Sequence, residues 1–185
     1  MPIETYKSFA LISICLIVLS TCLMLTKLGP NVSKSLSRHA ASHKKAYAFF
    51  GLSLIISIIL FLLFTFKWLI PTLQLPILFN VVVWLVAAGF IYGAVVPDTK
   101  GWMHHTHEWA AWTSAWLMMV LVAIIGLSSK LTTFNKVLSF GLLIVMFGLW
   151  LLTVIMKKSR DKFLINQTAY LICFQLVILQ VTYLR

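Results

Sequence analysis

A chain of 185 residues with 61% hydrophobic and 10% charged side chains cannot be solvated by water over its whole surface, since soluble domains carry roughly 45–50% apolar and about 25% charged residues. The net charge of +11 comes from 15 Lys and Arg against 4 acids. These bases stand at the ends of apolar runs and in short connections, which argues against a nucleic-acid partner and for contact with anionic lipid headgroups.

Six apolar runs are long enough to cross a bilayer, which needs about 20 residues each. The first, 9–28, ends at Gly29-Pro30, a pair that stops helices. Leu19 to Cys22 fits a lipoprotein cleavage box poorly, because Thr21 stands where a smaller residue is usual, and the run is read as a retained helix. A basic loop follows, and the second run, 46–70, closes at Pro71. The third, 77–96, stops at Pro97-Asp98, and a polar and aromatic loop leads to the fourth, 109–127. The fifth and sixth occupy 137–156 and 163–184. The sixth carries Asn166, Gln167, Thr168, Gln175 and Gln180. Amides are costly in hydrocarbon, so these side chains are expected to face other helices or a wet cavity.

The expected fold is therefore all-α, a polytopic bundle of six transmembrane helices with short loops, forming a single domain over 1–185. Cys15, Cys22 and Cys173 lie in apolar runs without a CxxC, and buried free thiols are expected. Ten of the 15 Lys and Arg belong to the first, third and fifth loops and adjoining helix ends, among them Lys100, Lys157, Lys158 and Arg160. The positive-inside rule puts those loops in the cytoplasm, with both termini outside, in a membrane of the bacterial inner type.

Chemistry-bearing residues concentrate on that side. His39 and His43 precede the second run by a four-residue spacing, and His104, His105, His107 and Glu108 precede the fourth, with Asp98 nearby. Imidazoles with a carboxylate suit a divalent metal such as zinc. One reading makes His39, His43, His104 and His107 the ligands, with Glu108 or Asp98 as general base for metal-bound water in an interfacial enzyme. Against it, HHTHE is not the HExxH arrangement, and histidine is common at membrane interfaces. Haem is the weaker cofactor expectation, because no histidine falls inside an apolar run.

Trp109, Trp112 and Trp116 are spaced by three and four, as one stripe on a helix. Such a stripe lines a ligand cleft or, more often, packs and anchors at the interface. Gly89 and Gly93 form a GxxxG that brings helices together within the chain or between copies in a homo-oligomer. No acid, Lys, Arg or His lies at the centre of a predicted span, which disfavours an ion-coupled carrier.

The order of Pro97, Asp98, a histidine among His104, His105 and His107, and then Ala111 resembles the bacterial six-span family of unknown function related to the DRAM and Sfk membrane proteins. The resemblance covers the middle third of the chain. It implies a six-helix membrane protein, without implying a reaction. The leading functional expectation is a bundle that binds a lipid, a hydrophobic small molecule or a membrane-protein partner at the cytoplasmic mouth of spans two to four. Asp98, His104, Trp109, Trp112 and Trp116 are its binding residues. The alternatives are the metal-dependent enzyme and a structural subunit.

Overall fold

A computed structural model describes residues 3–99, 101–155 and 162–184. Lys100, the basic stretch 157–161 and Arg185, which enter the topology argument, lie outside the described residues. Helix α1 spans Thr5–Leu28, α2 Leu36–Ala41, α3 Lys44–Leu73, α4 Ile77–Val95, α5 Trp102–Gly126, α6 Thr133–Ile155 and α7 Phe163–Tyr183. All but α2 are long and apolar enough to cross a membrane, so the protein is an all-α bundle of six spans.

Neighbours in sequence are neighbours in space. α1 packs on α3, α3 on α4, α4 on α5, α5 on α6 and α6 on α7, while α7 meets α1 more sparsely. The arrangement is a ring whose inward faces supply a common core, including Phe64, Leu69, Phe79, Val83, Ile125 and Val177. The outward faces carry bare apolar side chains such as Ile77, Trp84 and Ile144, which only lipid can cover without cost. Cys173 is buried, whereas Cys15 and Cys22 are on the outward surface of α1. The expectation of buried thiols thus holds for one of the three, because α1 turns its other two toward the surrounding hydrocarbon.

Local sequence explains the breaks. α1 ends where Gly29 takes φ 75° and its N–H returns to the Leu25 carbonyl, a conformation that favours glycine. α3 runs through Pro71 instead of stopping before it. Residues Thr65–Leu69 widen into a π-helical turn, with the Ile70 N–H reaching the Thr65 carbonyl. That wider turn takes up the strain of a proline ring set against a helix interior. α5 begins at Trp102, seven residues before the apolar run, so the histidine segment is helical and not a loop. His104, His107 and Glu108 are thereby brought onto neighbouring turns of one face.

The GxxxG of α4 is used inside the chain. A Cβ at Gly89 would fall 2.0 Å from Ser114 Oγ of α5, and one at Gly93 would touch His107 at 3.5 Å. α3 and α4 approach as closely, since a Cβ on Gly51 would meet the Ala94 backbone carbonyl at 3.0 Å. Gly51→Ala is expected to lose about 1–3 kcal/mol by overpacking. Gly141 and Gly148 of α6 have nothing within 4 Å of a built Cβ, and alanine at either is expected to gain about 0.5–1 kcal/mol from helix propensity. Reversible unfolding in mixed micelles would separate the two signs.

Candidate functional site

The first loop folds back over the end of the ring where α1 stops and α3 and α5 begin. Ser35 caps α2 by accepting from the Arg38 N–H at 3.1 Å. The loop is tied to α7 twice, by the Leu36 N–H on Gln167 Oε1 and the Leu164 N–H on the Val32 carbonyl, both at 3.0 Å. Beneath, Met24, Leu36, Ala40 and Leu164 make a small apolar core. This packing aims the Ser35, Ser37 and Arg38 side chains at Asp98, in the turn between α4 and α5.

Asp98 is the hub. Its side chain is only 6% exposed. Oδ2 accepts from Ser35 Oγ at 3.0 Å and Ser37 Oγ at 3.1 Å, with Arg38 Nε at 3.4 Å. Oδ1 accepts from His104 Nδ1 at 2.7 Å. A guanidinium can only donate, so Arg38 Nη2, 2.8 Å from His104 Nε2, makes that nitrogen the acceptor and assigns the proton to Nδ1. Burial alone would push the Asp98 carboxyl up. The hydrogen bonds from His104 and Ser35, with the charges of Arg38 and nearby His107, outweigh it and hold the group below the ordinary carboxylate value.

The other candidate residues separate. His39 is buried and satisfied on both sides: Nδ1 donates to the Ser35 carbonyl and Nε2 accepts from the Asn31 N–H, each at 2.9 Å. It braces the loop and has no lone pair left for a metal. His43 is exposed at the head of α3, and His105 is exposed on α5. His107 is buried and donates from Nδ1 to the Val96 carbonyl at 2.8 Å, pinning the end of α4 to α5. Among the described residues, no three side chains of His, Cys, Asp or Glu gather to hold a metal ion. His39, His43, His104 and His107 therefore do not form one ligand set here.

Inside the ring lies a cavity of about 540 Å³, with walls from all six spans. Asp98, His104, His107, Glu108 and Arg38 stand at its mouth, and the deeper wall is mostly apolar, including Ile58, Phe61, Val83, Met118 and Ile178. A few polar groups interrupt it. Ser13 and Ser57 bond each other at 2.7 Å across α1 and α3, and the Tyr170 hydroxyl donates to the Ala115 carbonyl. Asn166, Gln167 and Gln175 of α7 also face the cavity, as expected of amides in this span.

The tryptophan stripe divides. Trp112 faces the cavity, edge-on to Trp150 and Phe163 at 6.4 and 6.1 Å between ring centroids. Trp116 stacks on Trp150 at 5.0 Å between α5 and α6, and Trp109 is 74% exposed, placed as an interfacial anchor. Ser35 and Arg38 are the site residues that sequence reasoning missed. Their signal was faint, a Ser-x-Ser-Arg at the start of a short helix inside a loop that reads as merely basic. Comparison with protein-family models, with curated proteins and with solved structures finds no match.

Proposed function

We propose that this membrane protein holds an amphipathic or hydrophobic small molecule, lipid included, in its central cavity. The ligand's polar end sits at the Asp98–His104–Glu108 mouth of α3 to α5. The observation that carries the reading is the cavity itself. Its volume of about 540 Å³ falls within the roughly 300–1,000 Å³ typical of small-molecule sites, and its apolar wall with a few converging polar groups at one end suits an amphiphile. Gln175 also lines the cavity and offers a further polar contact.

In this reading the mouth faces the cytoplasm, following the charge bias of the loops, and the membrane is the bacterial inner membrane. Asp98 and one of His104, His105 and His107 carry the resemblance to the six-span family related to the DRAM and Sfk membrane proteins. The contact between Asp98 and His104 at the mouth supports treating that corner as functional here. Asp98 orders the mouth and does not act as a base, because its oxygens already accept from Ser35, Ser37 and His104.

The test is native mass spectrometry of the protein released with its surrounding lipid, comparing wild type with Ala111→Trp, which fills the mouth, and Trp112→Ala. Wild type is expected to retain one tightly held small molecule per chain, and the Ala111→Trp variant about tenfold less, an affinity loss of about 1.4 kcal/mol. Equal retention in all three proteins would sink the proposal.

A further inference from the structure

Taking the cavity to be a ligand site, as proposed above, we infer that its occupant carries a cationic head, an amine or quaternary ammonium on an apolar body, seated between the Glu108 carboxylate and the Trp112 ring.

The charge of the cavity wall runs opposite to that of the chain. The protein carries +11, yet among the described residues the carboxylates and permanent cations on the wall are Asp98, Glu108 and Arg38. Arg38 is already committed, 3.4 Å from Asp98 and 2.8 Å from His104 Nε2. Arg38 and Asp98 cancel, and the hydrogen bonds on Asp98 leave it little capacity for another cation. Glu108 is different. It is 46% exposed, and the nearest charge partner is His104, 3.7 Å away, beyond direct hydrogen-bond reach. It is the uncompensated charge of the described wall.

Glu108 is also well placed. Trp112 lies one turn deeper on α5, and both residues face the cavity. The i,i+4 spacing stacks a carboxylate above an aromatic ring. Ala111 and Ala115 keep this face of α5 low. Trp150 and Phe163 complete an aromatic corner around Trp112. A carboxylate beside aromatic faces attracts ammonium groups, by Coulomb attraction and by the ring quadrupole together. An anionic head would face Glu108 and Asp98 with the guanidinium already spent. Lys34, Lys44 and Lys45 are exposed and do not line the cavity. Their charge is directed at solvent and headgroups, where physiological salt screens it over about 8 Å.

The inference is tested by titrating the full chain in neutral maltoside micelles with three probes that share a twelve-carbon tail: dodecyltrimethylammonium, dodecyl sulfate and dodecanol. Tryptophan fluorescence reports binding, and Ala111→Trp, checked for an unchanged elution volume, subtracts adsorption to micelle and surface. The ammonium is expected to bind about tenfold more tightly than the other two. Glu108→Gln should lower its affinity about fivefold and leave dodecanol unchanged. Trp112→Phe should retain more of the ammonium preference than Trp112→Leu. Sulfate or dodecanol binding as tightly as the ammonium, and lost in Ala111→Trp, would overturn the cationic preference and leave the cavity reading standing. If none of the three probes distinguished wild type from Ala111→Trp, the cavity reading would fail, and this inference with it.

Discussion

Asp98→Ala is expected to destabilise the folded protein by about 2–4 kcal/mol, the largest effect of any single substitution at the mouth. The carboxylate is nearly buried and accepts from Ser35, Ser37 and His104 while balancing Arg38. Its removal takes the shared acceptor from three donors and leaves the Arg38 charge unbalanced. Water reaches Arg38 and His104, whose side chains are 44% and 25% exposed, so the loss stays below that of a fully enclosed pair. Asp98→Asn keeps the shape and one acceptor oxygen, and should lose about half as much.

The same group sets a pH dependence with a defined sign. Its folded value is held below the ordinary carboxylate value, so the folded state binds the proton less tightly than the unfolded chain. The stabilisation is then complete above the unfolded value of about 4 and is lost as pH falls through the lower folded value. Thermal midpoints of wild type and Asp98→Asn, measured from pH 7 downward, should differ by a constant amount above about pH 5 and converge below about pH 4. A gap that stays constant throughout would mean that the Asp98 charge contributes nothing.

Hydropathy makes the six spans legible, because lipid demands an unbroken apolar stretch and the loops are too short to conceal one. What it misses are the places where helix and apolar run do not coincide. α5 begins at Trp102, since His, Thr and Glu are acceptable helix residues and a hydropathy scale registers only their polarity. α3 passes Pro71 by opening a π-helical turn, a backbone adjustment with no signature in composition. The extra turns of α5 place Glu108 one helical turn from Trp112, both lining the cavity.

The site was half legible. Asp98 and His104 stand out by residue type close together in sequence, and the structure joins them at 2.7 Å. Ser35 and Ser37 reach Asp98 from 63 and 61 residues away, and no pattern in one sequence announces such a pairing. The tryptophans show the reverse problem. A three-and-four spacing predicts a shared face, but what each ring meets depends on its depth and on neighbours the spacing does not contain. Trp112 thus reaches the cavity while Trp109 stays exposed.

His39 and His43 are alike in sequence and opposite in the fold, which makes them the most informative pair of substitutions. His39→Ala should cost about 2–4 kcal/mol, because it leaves a void and unpairs a backbone N–H under the first loop. That group is the Asn31 N–H, while the Ser35 carbonyl loses the ring but still accepts from the backbone N–H of residue 39. Ser35 also caps α2 and donates to Asp98, so the loss spreads to the mouth, and ligand retention should fall with stability. His43→Ala removes an exposed ring at a helix start and should stay within about 0.5 kcal/mol. Denaturation midpoints paired with elemental analysis of the same samples would separate a brace from a ligand set. In a brace, only His39→Ala destabilises, and the metal content of both variants equals that of wild type. A shared metal centre requires both substitutions to lower metal content together, whatever their separate effects on the fold, and that result would return all four histidines to the ligand role.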